Sequence, residues 1–176
     1  GMGRHLLEHL LEGGLGERLR LGLSDASRGL LFWRKIMEMP AVVVKVKNQL
    51  KQATMIHWHG IRLAAPMDGT NLVQKAIQPG QEFEYRFEVP DAGTFWYHSH
   101  ENETEQMERG MYGALIVEDD TDPVMDGERV LMIDDMKLSP SNDFKRGNFF
   151  QRWVERHDGR QGETVLINGK ENPGIQ

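Results

Sequence analysis

Polar and apolar residues alternate with a period of two along much of this chain. From Glu82 to Val89, Phe83, Tyr85, Phe87 and Val89 fall on one side, and Glu82, Glu84, Arg86 and Glu88 on the other. That pattern predicts a strand with one buried face. Val42, Val44 and Val46 alternate in the same way with Val43, Lys45 and Lys47. Pro79-Gly80 and Pro90-Asp91 bracket the Glu82–Val89 run as turns. Further strands are predicted at Met55–Ile61, Thr94–His100, Gly113–Glu118, Val130–Ile133 and Thr164–Ile167. Short strands punctuated by Gly and Pro, with no regular helix between them, predict an all-β protein built as an antiparallel sandwich.

The two ends read differently. In residues 1–40, Leu6, Leu7, Leu10 and Leu11 fall at helical spacing, so a short amphipathic helix is expected over His5–Glu12. A second helical signal runs from Leu30 to Met39 and stops at Pro40. These residues are expected to form a helical or poorly ordered extension. The β core is assigned to residues 41–138. Residues 139–176 open as a polar connection carrying Phe144, Phe149, Phe150 and Trp153, and end in a strand and an Asn168-Gly169 turn.

Composition narrows the chemistry. With 21 basic and 27 acidic residues the net charge is −6, and no Lys/Arg-rich stretch offers a nucleic-acid or anionic-membrane surface. No apolar run approaches the ~18 residues of a membrane-spanning helix. Glu8, Glu12 and Glu17 interrupt what a secretory signal would need as its apolar segment, and Gly1 ahead of Met2 reads as a tag-cleavage remnant. The chain has no cysteine. Disulfides, Cys-ligated zinc, a thiol nucleophile and the thiolate of a blue-copper site are therefore excluded.

Histidine is where chemistry concentrates. Four of the seven histidines form two pairs, His57-Trp58-His59 and His98-Ser99-His100. On a strand, residues i and i+2 share a face, so each pair turns two imidazoles to one side and its middle residue to the other. Two such strands side by side gather four imidazoles, donors that suit copper, zinc, iron and nickel. A lone histidine on a strand is usually an ordinary hydrogen-bonded residue; two framed pairs in one short domain point to metal. His5, His9 and His157 have no comparable context. Met107, Met111, Met132 and Met136 read as core filling, and Asp134-Asp135 as a non-converging pair. The glutamates Glu101, Glu103, Glu105 and Glu108 read as a solvated acidic loop.

The segments Val46-Lys47-Asn48-Gln49-Leu50 and Thr54-Met55-Ile56-His57-Trp58-His59-Gly60-Ile61-Arg62 resemble the first copper-binding signature of the multicopper oxidases, the group of laccase, bilirubin oxidase and the copper-resistance oxidases. Pro66-Met67-Asp68-Gly69, Ile77-Gln78-Pro79-Gly80 and Tyr85-Arg86-Phe87 continue the likeness. So do Ala92-Gly93-Thr94-Phe95-Trp96-Tyr97-His98-Ser99-His100 and Arg109-Gly110-Met111-Tyr112-Gly113-Ala114-Leu115-Ile116-Val117. The resemblance spans roughly Ala41 to Asp135. It implies a cupredoxin-like Greek-key β-sandwich, the N-terminal domain of a laccase-like enzyme, with a non-family segment ahead of it.

In that family this domain supplies half the ligands of a three-copper cluster that reduces dioxygen to water with electrons from a one-electron donor substrate. By position, the resemblance makes His57 a ligand of the type 2 copper and His59, His98 and His100 ligands of the type 3 pair. It makes Asp68 a carboxylate beside the cluster that relays protons; on its own, Asp68-Gly69 reads as an ordinary turn. The rest of the cluster and the type 1 copper would come from C-terminal cupredoxin domains or a second subunit, with self-association a further route to a partner. Without them the chain is expected to be inactive as an oxidase. The family's usual setting is periplasmic or extracellular. A stand-alone copper- or zinc-binding module without redox turnover is the alternative.

Overall fold

The computed structural model describes residues 42–118, 122–137 and 161–171, together with the backbone of three earlier strands. In chain order the strands are β1 (Glu8–Glu12), β2 (Arg18–Gly22), β3 (Leu31–Arg34), β4 (Val42–Lys47), β5 (Ile56–His59), β6 (Glu82–Phe87), β7 (Gly93–Ser99), β8 (Tyr112–Glu118), β9 (Ile133–Met136), β10 (Thr164–Ile167) and β11 (Lys170–Glu171). One short helix, α1 (Glu103–Glu108), lies between β7 and β8. Among the described residues no helix is long and apolar enough to cross a membrane, which says nothing of β-barrels.

Two four-stranded sheets carry the fold, one ordered β2-β1-β4-β6 and the other β3-β8-β7-β5. The chain passes from one sheet to the other at β4→β5, β5→β6 and β6→β7, the Greek-key sandwich that the alternation and the resemblance imply. Each sheet turns its apolar side inward. Val42, Val44, Val46, Tyr85 and Phe87 come from the first sheet, and Ile56, Trp58, Tyr97, Leu115 and Val117 from the second, into one shared core. β4 and β6 pair with Val44 opposite Tyr85 and Val46 opposite Phe83. Their outer faces set Lys45 against Glu84 at 3.9 Å and Lys47 against Glu82 at 3.4 Å. Burying each inner side chain contributes roughly 1.5–3 kcal/mol, whereas exposed ion pairs contribute about 1 kcal/mol or less. The inner face therefore sets the register, since a slip by one residue would expose all of it.

The N-terminal expectation is corrected. Where helices were expected over His5–Glu12 and Leu30–Met39, the described parts are strands β1 and β3. β1 pairs antiparallel with β2 and with β4, His9 opposite Val46 and Leu11 opposite Val44, and β3 pairs parallel with β8. An isolated helix of eight residues is marginal in water, while the exposed edges of β4 and β8 offer backbone partners. Residues 1–7, 13–17, 23–30, 35–41, 119–121, 138–160 and 172–176 lie outside the described residues, and with them His5, His157 and the aromatic residues of the polar connection.

A third, small sheet is ordered β11-β10-β9. Its outer strand begins at Ile133, later than the expected Val130–Ile133. Asn168 explains the shift: its Oδ1 accepts from the Met132 amide at 2.9 Å, and its Nδ2 donates to the Val130 carbonyl at 3.1 Å. These bonds occupy the Val130 and Met132 backbone before ladder pairing starts. Asp134 and Asp135 do diverge, Asp134 accepting from the Tyr112 hydroxyl at 2.5 Å and Asp135 from the Gly162 amide.

Candidate metal centre

β5 and β7 are hydrogen-bonded neighbours, with Ile56 opposite Ser99, His57 opposite His98, Trp58 opposite Tyr97 and His59 opposite Trp96. The period of two sorts these residues by face. Trp58 and Tyr97 enter the core, where Trp58 is 1 % exposed and touches the rings of Tyr85, Phe87 and Tyr97 at 5.4, 4.9 and 5.8 Å. Burial pushes the Tyr97 hydroxyl well above its usual range. With those anchors inward, the imidazoles of His57, His59 and His98 must emerge together on the other face.

They converge. Ring centroids lie 5.5 Å apart for His57 and His59, 5.3 Å for His57 and His98, and 5.5 Å for His59 and His98. One nitrogen from each of these three histidines falls within 4.8 Å of the other two. His59 Nδ1 and His98 Nε2 stand 3.3 Å apart. Two nitrogens each about 2.0–2.1 Å from one ion at a tetrahedral angle are separated by about 3.3 Å. His100 stands beyond the end of β7, its ring 5.5 Å from His57 and 6.1 Å from His98, outside that three-nitrogen group. Trp96 lies across His59 at 4.8 Å and stacks on His98 at 4.4 Å.

Hydrogen bonds leave the inward nitrogens available. His57 Nδ1 donates to the Asp68 carbonyl at 2.8 Å, and His98 Nδ1 to the Ser99 carbonyl at 2.9 Å. Each carbonyl fixes a proton on Nδ1 and leaves Nε2 with its lone pair, the form a metal needs. Burial holds the His98 imidazole below the usual histidine range; neighbouring His57 and His59 add to this, while the Ser99 carbonyl and Glu103 oppose it. The donor set therefore fits a borderline metal ion such as copper or zinc.

Asp68 reaches the site because of the turn that carries it. Residues Ala65–Met67 form a single 3-10 turn with the Asp68 amide donating back to the Ala65 carbonyl at 3.1 Å. The Arg86 amide donates to Met67 Sδ at 3.4 Å and ties the turn to β6. Gly69 follows at φ +71°, and a Cβ there would lie 1.7 Å from the Ile56 carbonyl oxygen. Only glycine permits this approach. The result is that the Asp68 carbonyl and its carboxylate, at 3.3 Å, both face His57 Nδ1.

Sequence reasoning missed the polar groups behind the site. The expected acidic loop is instead helix α1, and its one buried residue is Gln106. Tyr85, read only as core, also accepts the Ile56 amide at 2.9 Å with its hydroxyl. Asn48 is fully buried and bonds the carbonyls of Gln52 and Ile77 at 2.9 and 2.7 Å. A polar residue closing an apolar run was the available signal for Asn48; Gln106, set among glutamates, gave none.

Comparison with known proteins places this arrangement in context. The family model described as multicopper oxidase matches residues 35–122, half of the chain. The chain is 44 % identical over 95 residues to multicopper oxidase MmcO of Mycobacterium tuberculosis, covering 53 % of this chain and 18 % of that protein. To copper resistance protein A of Escherichia coli it is 43 % identical over 110 residues, 60 % of this chain and 17 % of the relative. Among solved structures, the multi-copper oxidase of Pseudomonas thermotolerans superposes with a TM-score of 0.78 at 30 % identity, covering 96 % of this chain and 41 % of that one. The chain thus spans under a fifth of the length of these two curated relatives.

Proposed function

Because the chain belongs to the multicopper oxidase family, we propose that it is the laccase-like domain supplying half of the imidazole ligands of a trinuclear copper cluster. The observation that carries this reading is the convergence of His57, His59 and His98 within 4.8 Å. Copper held there would pass electrons drawn from a donor substrate to dioxygen, which is reduced to water. His59 Nδ1 and His98 Nε2 would hold one type 3 ion between them, His57 Nε2 would face the type 2 position, and His100 would serve the second type 3 ion. His98 Nε2, with its lone pair free, accepts the Nδ1–H of His59 across 3.3 Å, and an ion held by both nitrogens would replace that bond, the His59 proton moving to its Nε2. The Asp68 carboxylate, partly exposed beside His57, gives solvent protons a path to the site. Electron entry needs a cysteine-ligated copper that this chain, with no cysteine, must obtain from further domains or a second subunit.

Cu(II) titration of the full chain, followed by electron paramagnetic resonance, tests this. Histidine-coordinated copper is expected, lost on His59→Ala or His98→Ala, with no oxidase turnover until cysteine-bearing cupredoxin domains are added. Turnover of a phenol or Cu(I) by the chain alone, or binding indifferent to both substitutions, overturns it. The alternative reading, a metal-binding module complete in itself, is favoured by the 3.3 Å His59–His98 pair, which can grip one ion unaided. It predicts stable stoichiometric metal on a monomer.

A further inference from the structure

The second histidine pair sits on a buried knot of hydrogen bonds. Gln106 is 1 % exposed on a helix whose other residues are not buried. Its Oε1 accepts from the Ser99 hydroxyl at 2.6 Å and from the Thr54 hydroxyl at 2.7 Å, and its Nε2 donates to the Ala53 carbonyl at 2.8 Å. Its backbone carbonyl accepts from the Met111 amide at 3.0 Å, and the Met111 carbonyl accepts in turn from the Ser99 amide at 3.0 Å. Ser99 is therefore held by Gln106 twice, once through its side chain and once through Met111. Ser99 also carries the carbonyl that accepts His98 Nδ1–H at 2.9 Å. One residue on, the His100 amide donates to the Met55 carbonyl at 3.1 Å, next to the Ala53–Thr54 segment that Gln106 also binds.

We propose that Gln106 is a positioning residue for metal binding: through Ser99 it orients the His98 ring, and it fixes where His100 leaves the end of β7. The inference rests on the metal reading above. It makes α1 a brace behind the second histidine pair, with the amide as its working group. No hydrocarbon side chain can satisfy two hydroxyls and a carbonyl at once, and buried polar groups left unpaired shift to find partners. Ser99 cannot shift without carrying the His98 acceptor with it. Groups that bond metal-ligating histidines from behind commonly alter metal affinity when removed.

Three substitutions in the full chain separate positioning from general packing. Gln106→Met keeps the volume and removes the three side-chain bonds of the knot, leaving the backbone link through Met111. Ser99→Ala cuts the branch that leads to His98, together with the hydroxyl's bonds to the Glu101 backbone. Thr54→Val cuts the other branch and is the control for lost core bonding. Imidazole NMR on the metal-free protein is expected to show one His98 tautomer, protonated at Nδ1, in the wild type and in Thr54→Val, and mixed or exchanging tautomers in the other two. Cu(II) affinity should fall about tenfold or more in Gln106→Met and Ser99→Ala and hold in Thr54→Val, with near-ultraviolet circular dichroism confirming native packing. If Gln106→Met fails to fold, Ser99→Ala decides. Wild-type His98 signals and Cu(II) affinity in the deciding variant overturn the proposal, as does equal damage from Thr54→Val. A wild-type chain that binds no Cu(II) would defeat the metal reading instead, and the ring signals would still decide the role of Gln106.

Discussion

β5 and β7 carry the same alternation, imidazole outward and packed residue inward, and they are hydrogen-bonded to each other. Their places in the sheet differ: β5 stands last in the order β3-β8-β7-β5, whereas β7 lies between β8 and β5. His98 on the interior strand is 3 % exposed, and its support comes from behind, through Ser99 and Gln106. His57 on the outer strand is held from the side, by a turn pressed against the backbone at Gly69. A repeated His-x-His motif thus does not imply repeated scaffolding. An interior strand can be fixed by what is buried beneath it, but an outer strand needs something brought against it.

The largest way to break this contrast is Trp58→Ala. Trp58 is the inward anchor of β5, and removing a buried tryptophan costs about 3–5 kcal/mol. Urea unfolding should show that loss, and a shift of less than about 1 kcal/mol would mean that β5 is held mainly by other contacts. Next comes Gly69→Ala, which combines φ +71° with a 1.7 Å approach to the Ile56 carbonyl. The turn must lift from β5, at a cost on the order of 1–3 kcal/mol. The His57 ring should lose its fixed tautomer while His98 keeps its own. Equal change at both rings would show that the two supports are one unit.

The smallest effect sharpens the comparison through pH. The His98 pKa is lowered in the fold, chiefly by burial, so the unfolded chain takes up the proton more readily. The stability this confers is complete above the unfolded histidine pKa of about 6.5 and is lost as pH falls from there through the folded value. Unfolding of the metal-free chain at pH 8, 6 and 5 should show a steeper decline in the wild type than in His98→Asn. Parallel declines would remove His98 as the source.

How far the sequence revealed these features follows from range. β8 is legible as a short unbroken apolar run, and β4 and β6 because a period of two records their buried face residue by residue. The face shared by His57 and His59, and the one shared by His98 with Trp96, follow from the same rule. β1 and β3 were not legible: the leucines at 6, 7, 10 and 11 mimic a helical stripe, and what makes a strand there is pairing with Val44 and Val46, more than thirty residues away. The alternation Arg18-Leu19-Arg20-Leu21 in β2 was the readable clue. Gln106 was hidden for a related reason. Its partners Ala53 and Thr54 lie 53 and 52 positions off, and a glutamine among glutamates looks like surface.

Asp68 meets His57 with a main-chain oxygen as well as a side-chain one, and only the second depends on which amino acid occupies the position. Geometry and charge are thereby decoupled: an asparagine or serine at 68 would keep the ring's orientation and remove the negative charge beside it. Anyone wishing to tune how strongly this pocket draws cations, leaving its shape untouched, has a single codon at which to do so.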